Sequence, residues 1–319
     1  ATLWRGGTPF DLGTLGGLNS NVQWPGLNHG GTIVGISQTA VTDTLDEDWS
    51  CGAFLPASDK TRLGFVWESG VMKALPTLGG NNGFATAVNA RGQVVGWAET
   101  PVVDPTCKGT QILQFRAVLW EPRRNTKQEL PPFPGDSASA ATAINQRGQV
   151  VGISGDCDLA VGRFSARRLI LWDKGQVSEI PHLGGEAWHT PMAINERGHV
   201  VGFSNPPGVV NGALSPRAFL WTGGATSINL NTLKDDATSQ ARGINSRGQV
   251  VGVSSGPNGN RAFLWEDGVM KDLTMLVGPG FPDRLLSAQH INDAGVITGT
   301  MFETSTGRTL GFVATPKGQ

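Results

Sequence analysis

Tyrosine is absent from the 319-residue chain, cysteine occurs three times, and charged residues make up 16% where about 25% is usual. Basic side chains number 25 and acidic ones 26, for a net charge of −1, so no basic field exists to collect a phosphate backbone by counterion release. Nucleic acid is therefore not an expected partner. No apolar run approaches the ~18 residues of a membrane-spanning helix. Cys51, Cys107 and Cys157 are too widely spaced for a zinc ribbon or a thioredoxin-like pair, and they allow at most one disulfide within the chain. Motifs of the GxSxG, HExxH, GxGxxG and phosphate-loop types are also missing. The chain starts at Ala1 without methionine, as expected of a processed chain whose export signal has been removed.

What is abundant is glycine, with 45 residues, and tryptophan, with 10. Much of both belongs to a repeat. LNHGGTIVGIS begins at Leu27, VNARGQVVGWA at Val88, INQRGQVVGIS at Ile144, INERGHVVGFS at Ile194, INSRGQVVGVS at Ile244 and INDAGVITGTM at Ile291. The shared asparagines Asn28, Asn89, Asn145, Asn195, Asn245 and Asn292 are spaced by 61, 56, 50, 50 and 47 residues, so the early copies carry insertions. A second landmark follows each copy, an apolar stretch ending at Trp67, Trp120, Trp172, Trp221, Trp265 or, more weakly, Ala314.

Each unit thus holds four short strands, here called A (TAVN), B (GQVVGWA), C (RAFLW) and D (GVMKDL). In Asn89-Ala-Arg-Gly92 and Trp265-Glu-Asp-Gly268 the glycine stands where a type I turn with a bulge requires positive φ, so A–B and C–D are expected to be tight hairpins. Runs such as QVVG and AFLW are apolar on successive residues and show no helical period, which suits strands covered on both faces. Six such units predict an all-β fold, a six-bladed β-propeller of four-stranded antiparallel blades in a single domain over 1–319. The units span about 18–75, 81–130, 136–180, 186–230, 236–273 and 284–315, with the N-terminal segment 1–13 expected to complete the last blade. The small residues Gly26, Ala87, Ala143, Ala193 and Gly243 before each asparagine, with His290 in the sixth unit, fit a crowded innermost strand. A β-solenoid is the alternative architecture, but its rungs are shorter and lack paired hairpins.

The recurring AFLW, G-x-M-x-DL and INxRGQVVGxS segments resemble the HAF-repeat family of extracellular bacterial proteins over nearly the whole chain. The His-Ala-Phe triplet of that family reads Arg217-Ala-Phe219 and Arg261-Ala-Phe263 here. The resemblance implies secretion to an extracellular or periplasmic location and a propeller-like repeat. It carries no activity and no catalytic residues.

Strand order places the A–B and C–D hairpins at one end of the blades and the B–C loops and D–A connections at the other. The B–C loops of the first three units, residues 38–61, 99–114 and 155–167, are long and irregular, whereas the fifth unit uses only SGPNGN. Long loops on a rigid scaffold are where function concentrates. One cysteine lies in each, and a Cys107–Cys157 disulfide pinning adjacent loops is the expected pairing, leaving Cys51 free. Thiolates with Asp43, Asp46, Asp48, Asp104, Asp156 or Asp158 lack the spacing of a metal site, and no cofactor is expected. The run Asp46-Glu47-Asp48 is the one place for a calcium ion, although it lacks alternating ligand spacing and suits a solvated loop better.

Departures from the repeat single out further residues. Where most units enter strand A with small residues, this chain has Trp24, Trp188 with His189, Gln240 with Arg242, and Gln289 with His290; Trp49 lies in the first long loop. Aromatic faces beside histidine, arginine and glutamine can stack a sugar ring or clamp an anion; equally, Trp24 and Trp188 can simply fill a channel. The expected function is that of a secreted binding module for a carbohydrate or another extracellular protein or small-molecule ligand, acting as a monomer. The alternative is a hydrolase or lyase at the same mouth, with His290, His189 or Asp48 as acid or base.

Overall fold

In the computed structural model, residues 1–24, 26–47, 54–158, 162–209 and 213–317 are described. The chain divides into two compact units, Ala1–Glu179 and Ile180–Gln319. No helix is long and apolar enough to cross a membrane.

The first unit opens with a two-stranded sheet of β1 (Thr2–Arg5) and β2 (Thr8–Asp11), followed by three four-stranded antiparallel sheets. The first contains β3 (Gly16–Asn21), β4 (Ile33–Thr42), β5 (Lys60–Glu68) and β6 (Val71–Ala74). The second contains β7 (Gly83–Val88), β8 (Val94–Val103), β9 (Leu113–Glu121) and β10 (Thr126–Leu130), and the third β11 (Ala138–Ile144), β12 (Val150–Gly155), β13 (Arg168–Asp173) and β14 (Gln176–Ile180). The second unit holds two more such sheets, β15 (Thr190–Ile194) to β18 (Ile228–Asn231) through β16 (Val200–Ser204) and β17 (Arg217–Trp221), and β19 (Thr238–Ile244) to β22 (Val269–Asp272) through β20 (Val250–Gly256) and β21 (Gly259–Glu266). A three-stranded sheet of β23 (Arg284–Ile291), β24 (Ile297–Glu303) and β25 (Arg308–Ala314) ends it. Within each sheet the strands pair in sequence order and antiparallel, so the first five repeat copies fold as the expected A–B–C–D meander and the sixth supplies A, B and C.

The repeat asparagine explains why the motif recurs. Asn89 Oδ1 accepts the backbone N–H groups of Arg91 and Gln93, both at 3.1 Å, which holds the turn closed. Its Nδ2 donates to Gln93 Oε1 at 2.8 Å and to the carbonyl of Asn145 in the next sheet at 3.2 Å. Asn28 donates likewise to Asn89 O (2.9 Å), Asn195 to Asn245 O (3.0 Å) and Asn245 to Asn292 O (3.2 Å). The glycine three residues on has φ between +78° and +86° in all six copies, as the turn reading requires.

Strand B ends its apolar run on a glycine for a different reason. Strand A carries a bulge opposite it, as between Ala141 and Ala143 on β11, and this presses the strand A backbone inward. A Cβ on Gly152 would stand 2.1 Å from Ala140 O and 2.8 Å from the Trp172 ring, and the other five copies are as tight, at 1.9–2.2 Å from a strand A carbonyl.

The core lies between consecutive sheets. Val34 and Val66 of the first sheet pack with Ala85, Val94 and Trp120 of the second, Val95 and Ala117 of the second with Ala141 and Ile170 of the third, and Val201 and Leu220 with Ala241 and Phe263 in the second unit. The indole N–H groups of Trp120 and Trp172 donate to Pro76 O (2.9 Å) and Pro131 O (2.6 Å), tying each sheet to the connection that precedes it.

Three local features differ from expectation. In the first, third and fifth four-stranded sheets the C–D hairpin is a two-residue turn with both central residues at positive φ, as in Asp267 (52°) and Gly268 (84°) between the paired Glu266 and Val269, rather than a type I turn with a bulge; in the second a 3-10 turn at Pro122–Arg124 stands there, and in the fourth a longer connection from Trp221 to Ile228. The segment 1–13 does not supply a strand to the last sheet: β1 and β2 pair with each other across a Gly6-Gly7 turn, a local closure that meets both strands' hydrogen bonds at little loop cost, and the Ala1 ammonium donates to Ser20 O at 2.8 Å. Trp4 is consequently 67% exposed, unlike the tryptophans that end the other C strands. Finally, a short helix, α1 (Leu273–Val277), follows β22, with Asp272 as its N-cap to the Thr274 N–H.

Candidate functional site

The loop-rich region expected over the first three sheets exists within the first unit. Strands β4 and β5, and β8 and β9, extend as far as Thr42↔Lys60 and Val103↔Leu113, so the long loops leave from lengthened hairpins. Cys107 and Cys157 form the expected disulfide, joining the second and third of these loops. The sulfurs lie close to Asp104, but as a disulfide they are not available as thiolate ligands. A disulfide fits an oxidising compartment outside the cytosol.

Beneath these loops is a group of buried polar side chains. Asp43 and Glu47 come from the first loop, Asn81 and Asn82 from the connection into β7, Glu99 from β8 and Gln111 from the second loop. Glu99 accepts from the N–H groups of Asn81 (3.0 Å) and Asn82 (2.8 Å) and from Gln111 Nε2 (3.1 Å). Glu47 Oε1 accepts from the N–H groups of Ile112 and Leu113, both at 2.6 Å. Asp43 receives the side-chain amides of Asn81 (2.8 Å) and Asn82 (2.9 Å). Arg62, also buried, donates to the Glu47 carbonyl at 3.1 Å. Burial, reinforced by the charge of the neighbouring Glu47 carboxylate, pushes the Glu99 carboxyl up to about 8. Burial raises Glu47 as well.

The acidic run considered for calcium is divided in the structure. Asp46 is exposed with φ +53°, Glu47 turns inward to this cluster, and Asp48 lies outside the described residues, as do Trp49 and Cys51. Sequence reasoning missed Glu99, Asn82 and Gln111, because a single carboxylate in a B strand and an Asn-Asn pair in a connection carry no spacing signal.

Trp24 is buried. Its ring meets Phe54, Phe84 and Trp97 edge-on at centroid distances of 5.3, 5.5 and 6.0 Å, so its faces belong to an aromatic core and are not offered to a sugar. Trp24 thus packs in the interior of the first unit. In the second unit His189 is likewise buried, with Nδ1 against Ser204 Oγ (2.8 Å), Nε2 against Gly185 O (3.2 Å) and the ring stacked on His182 at 4.2 Å. Burial and the adjacent His182 lower its pKa to about 3, so it is neutral at ordinary pH and cannot serve as a general acid. Trp188 beside it is half-buried and holds φ +61°, a strained backbone for so bulky a residue.

Gln240, Arg242, Gln289 and His290 are brought to neighbouring strands of the second unit. The asparagine links set β15, β19 and β23 side by side in equivalent register, and the lack of a side chain on Gly243 lets β19 approach β23, an added Cβ lying 3.2 Å from the His290 Cα. Arg242 is the extra residue of the β19 bulge, between the pairs Ala241↔Gly252 and Gly243↔Val251. The same bulge position holds Thr86 and Thr142 in the first unit, and there the hydroxyl is used within the framework: Thr86 Oγ1 donates to Val95 O (3.1 Å) and Ala141 O (3.0 Å). In the second unit it holds Met192, Arg242 and Gln289 instead. Arg242 is half-buried, has no hydrogen-bond or ion-pair partner among the described residues, and is lowered in pKa by burial. Gln289 Nε2 donates to Ser287 Oγ at 3.1 Å, and His290 is exposed.

No protein-family model and no curated protein matches the chain. Solved structures do. The uncomplexed acylaminoacyl peptidase of Pyrococcus horikoshii aligns with a TM-score of 0.48 at 14% identity, over 79% of this chain and 40% of that one. An acylaminoacyl peptidase in complex with Z-Gly-Gly-Phe-chloromethyl ketone (0.48, 12%) and the orthorhombic crystal form of the Pyrococcus horikoshii enzyme (0.48, 13%) align over the same shares. The chain thus spans about two fifths of the length of these peptidases.

Proposed function

We propose that the chain is a secreted binding module, its six repeat copies arranged as the blades of a β-propeller, and that Arg242 recognises an anionic group on the ligand, such as the carboxylate of an acidic sugar. The observation that carries this reading is the Arg242 guanidinium itself, half-buried without a partner at a bulge position that the first unit fills with self-satisfied threonines. A desolvated guanidinium lacking a counter-ion is costly unless something supplies one, and its planar fork matches a carboxylate bidentately. Gln289 at the equivalent bulge position of β23, and Gln240 two residues before Arg242 on β19, add neutral hydrogen-bonding groups of the kind that read hydroxyls. The Cys107–Cys157 disulfide supports the secreted setting.

Calorimetric titration with oligosaccharides bearing uronic acids and with their neutral counterparts tests this. The acidic ligands are expected to bind and the neutral ones not, with Arg242→Ala weakening binding by about 10- to 100-fold, the range for one charge-assisted pair. Equal binding of both ligand sets, or an Arg242→Ala variant that binds as wild type does, overturns the assignment. Among the described residues a hydrolase reading keeps His290 as the exposed candidate, since His189 is neutral and sealed, while Asp48 lies outside them. A hydrolase and lyase screen giving indistinguishable traces for wild type and His290→Ala removes it.

A further inference from the structure

Arg242 stands between two neighbours of unlike chemistry. The bulge position that it fills on β19 is filled by Met192 on β15 and by Gln289 on β23. The first unit shows how far a side chain at this position reaches. There Thr86 Oγ1, at the bulge of β7, lies 3.0 Å from Ala141 O, the carbonyl of the peptide that leads into Thr142 at the bulge of β11. Ala87, the residue after Thr86, shares a core cluster with Ala141. The second unit repeats this packing, since Ala193, the residue after Met192, packs on the cluster that contains Ala241. The bond from Asn195 Nδ2 to Asn245 O (3.0 Å) holds β15 and β19 in the register that Asn89 Nδ2 to Asn145 O (3.2 Å) gives β7 and β11. The Met192 side chain therefore starts beside the Ala241–Arg242 peptide and borders Arg242 on the flank away from Gln289.

Met192 does not serve the framework. Thr86 and Thr142 each donate to a strand B carbonyl, Val95 O at 3.1 Å and Val151 O at 3.2 Å, and a thioether has no proton to give. Nor does it complete the core: among the described residues the cluster of Val201, Ala241 and Phe263 takes in Ala193 but not Met192, which is left half-buried. A methionine so placed is an adaptable apolar surface. On the other flank Gln289 gives its amide to Ser287 Oγ, which leaves its carbonyl to accept a hydroxyl. We propose, resting on the reading of Arg242 as an anion-binding residue, that Met192 is the apolar wall of the same site and that the preferred acid bears a methyl group on the carbon that carries its carboxylate, as a lactyl ether of a sugar does. A uronate, whose carboxylate is flanked by the ring oxygen and a hydroxyl, satisfies Arg242 alone. A lactyl ether satisfies Arg242 and buries its methyl against Met192.

The test titrates the full chain calorimetrically with the glycolyl and lactyl ethers of methyl glucoside, which differ by that methyl group alone. Both are expected to bind, and the lactyl ether, in one configuration at its new centre, about 4-fold more tightly or better, the worth of one buried methyl group. Met192→Leu keeps an apolar side chain of similar volume and is expected to keep that ratio. Met192→Thr, which installs the residue of the first unit, is expected to bring the ratio towards one. Equal affinity of wild type for the two ethers, or a ratio that survives Met192→Thr, overturns the proposal and leaves the Arg242 reading standing. Failure of both ethers to bind overturns the Arg242 reading and this inference with it. The wild-type ratio needs no variant, so a Met192→Thr chain that does not fold leaves the proposal open to refutation.

Discussion

Single residues of the repeat carry more than one bond each. Asn245 takes the backbone N–H groups of Arg247 (3.1 Å) and Gln249 (3.0 Å) on its oxygen and gives its amide to Gln249 Oε1 (2.7 Å) and to Asn292 O in the next sheet. Asn245→Ala leaves buried groups unpaired on both sides of the turn and is expected to cost about 2–4 kcal/mol in urea denaturation. Gly152→Ala is expected to cost more than about 3 kcal/mol in the same measurement, because the added methyl meets fixed backbone at 2.1 Å and has nowhere to move. The positive-φ glycine of each hairpin was legible in the sequence, since a four-residue turn fixes where it must fall. The strand B glycine was not, because its cause is a bulge in the partner strand that no local pattern announces.

At the scale of elements, the loops of the first unit are held by a disulfide and by hydrogen bonds such as those from the Ile112 and Leu113 N–H groups to Glu47. The disulfide closes a separation of 50 residues, and on chain-entropy grounds Cys157→Ser is expected to lower stability by about 4 kcal/mol. Thiol titration under denaturing, non-reducing conditions is expected to find a single thiol, that of Cys51; three would remove the bridge. The pairing could be read beforehand because adjacent repeats place their B–C loops side by side. The N-terminal hairpin could not: ATLWRGGTPFD has the pattern of a C and a D strand, and pattern alone does not say whether such strands pair with each other or with a sheet elsewhere.

At the scale of the whole molecule, two buried groups pull stability in opposite directions with pH. His189 is protonated below about 6.5 when unfolded but only below about 3 when folded, so its contribution is complete above pH 6.5 and is lost as pH falls towards 3. Glu99 has an unfolded value of 4.5 and a folded value of about 8, so its contribution is complete below pH 4.5 and is lost as pH rises through 8. Tm is expected to hold a plateau between about pH 4.5 and 6.5 and to fall on either side. His189→Gln is expected to flatten the acid limb and Glu99→Gln the alkaline one; a wild-type protein whose Tm does not fall between pH 7 and 9 would contradict the Glu99 assignment. The all-β class and the modular meander were legible in the sequence because hairpin turns and paired apolar runs are local properties. Of the candidate residues that break the repeat, Trp24 and His189 do so to fill the interior, and exposure and partners, which a sequence does not display, separate such residues from Arg242.

The amides of Asn28, Asn89, Asn195 and Asn245 each leave their own turn for the following one, which gives the array within each unit a direction. The Asn292 turn closes through its own Oδ1, which accepts the Val296 N–H at 2.9 Å, so the outgoing amide of the other copies adds a docking instruction to a turn that is already complete. Duplication of such a segment delivers a new copy already addressed to its neighbour, with no interface left to evolve. That accounts for sequence fidelity at the turns while the loops at the opposite ends of the same strands vary in length from one copy to the next.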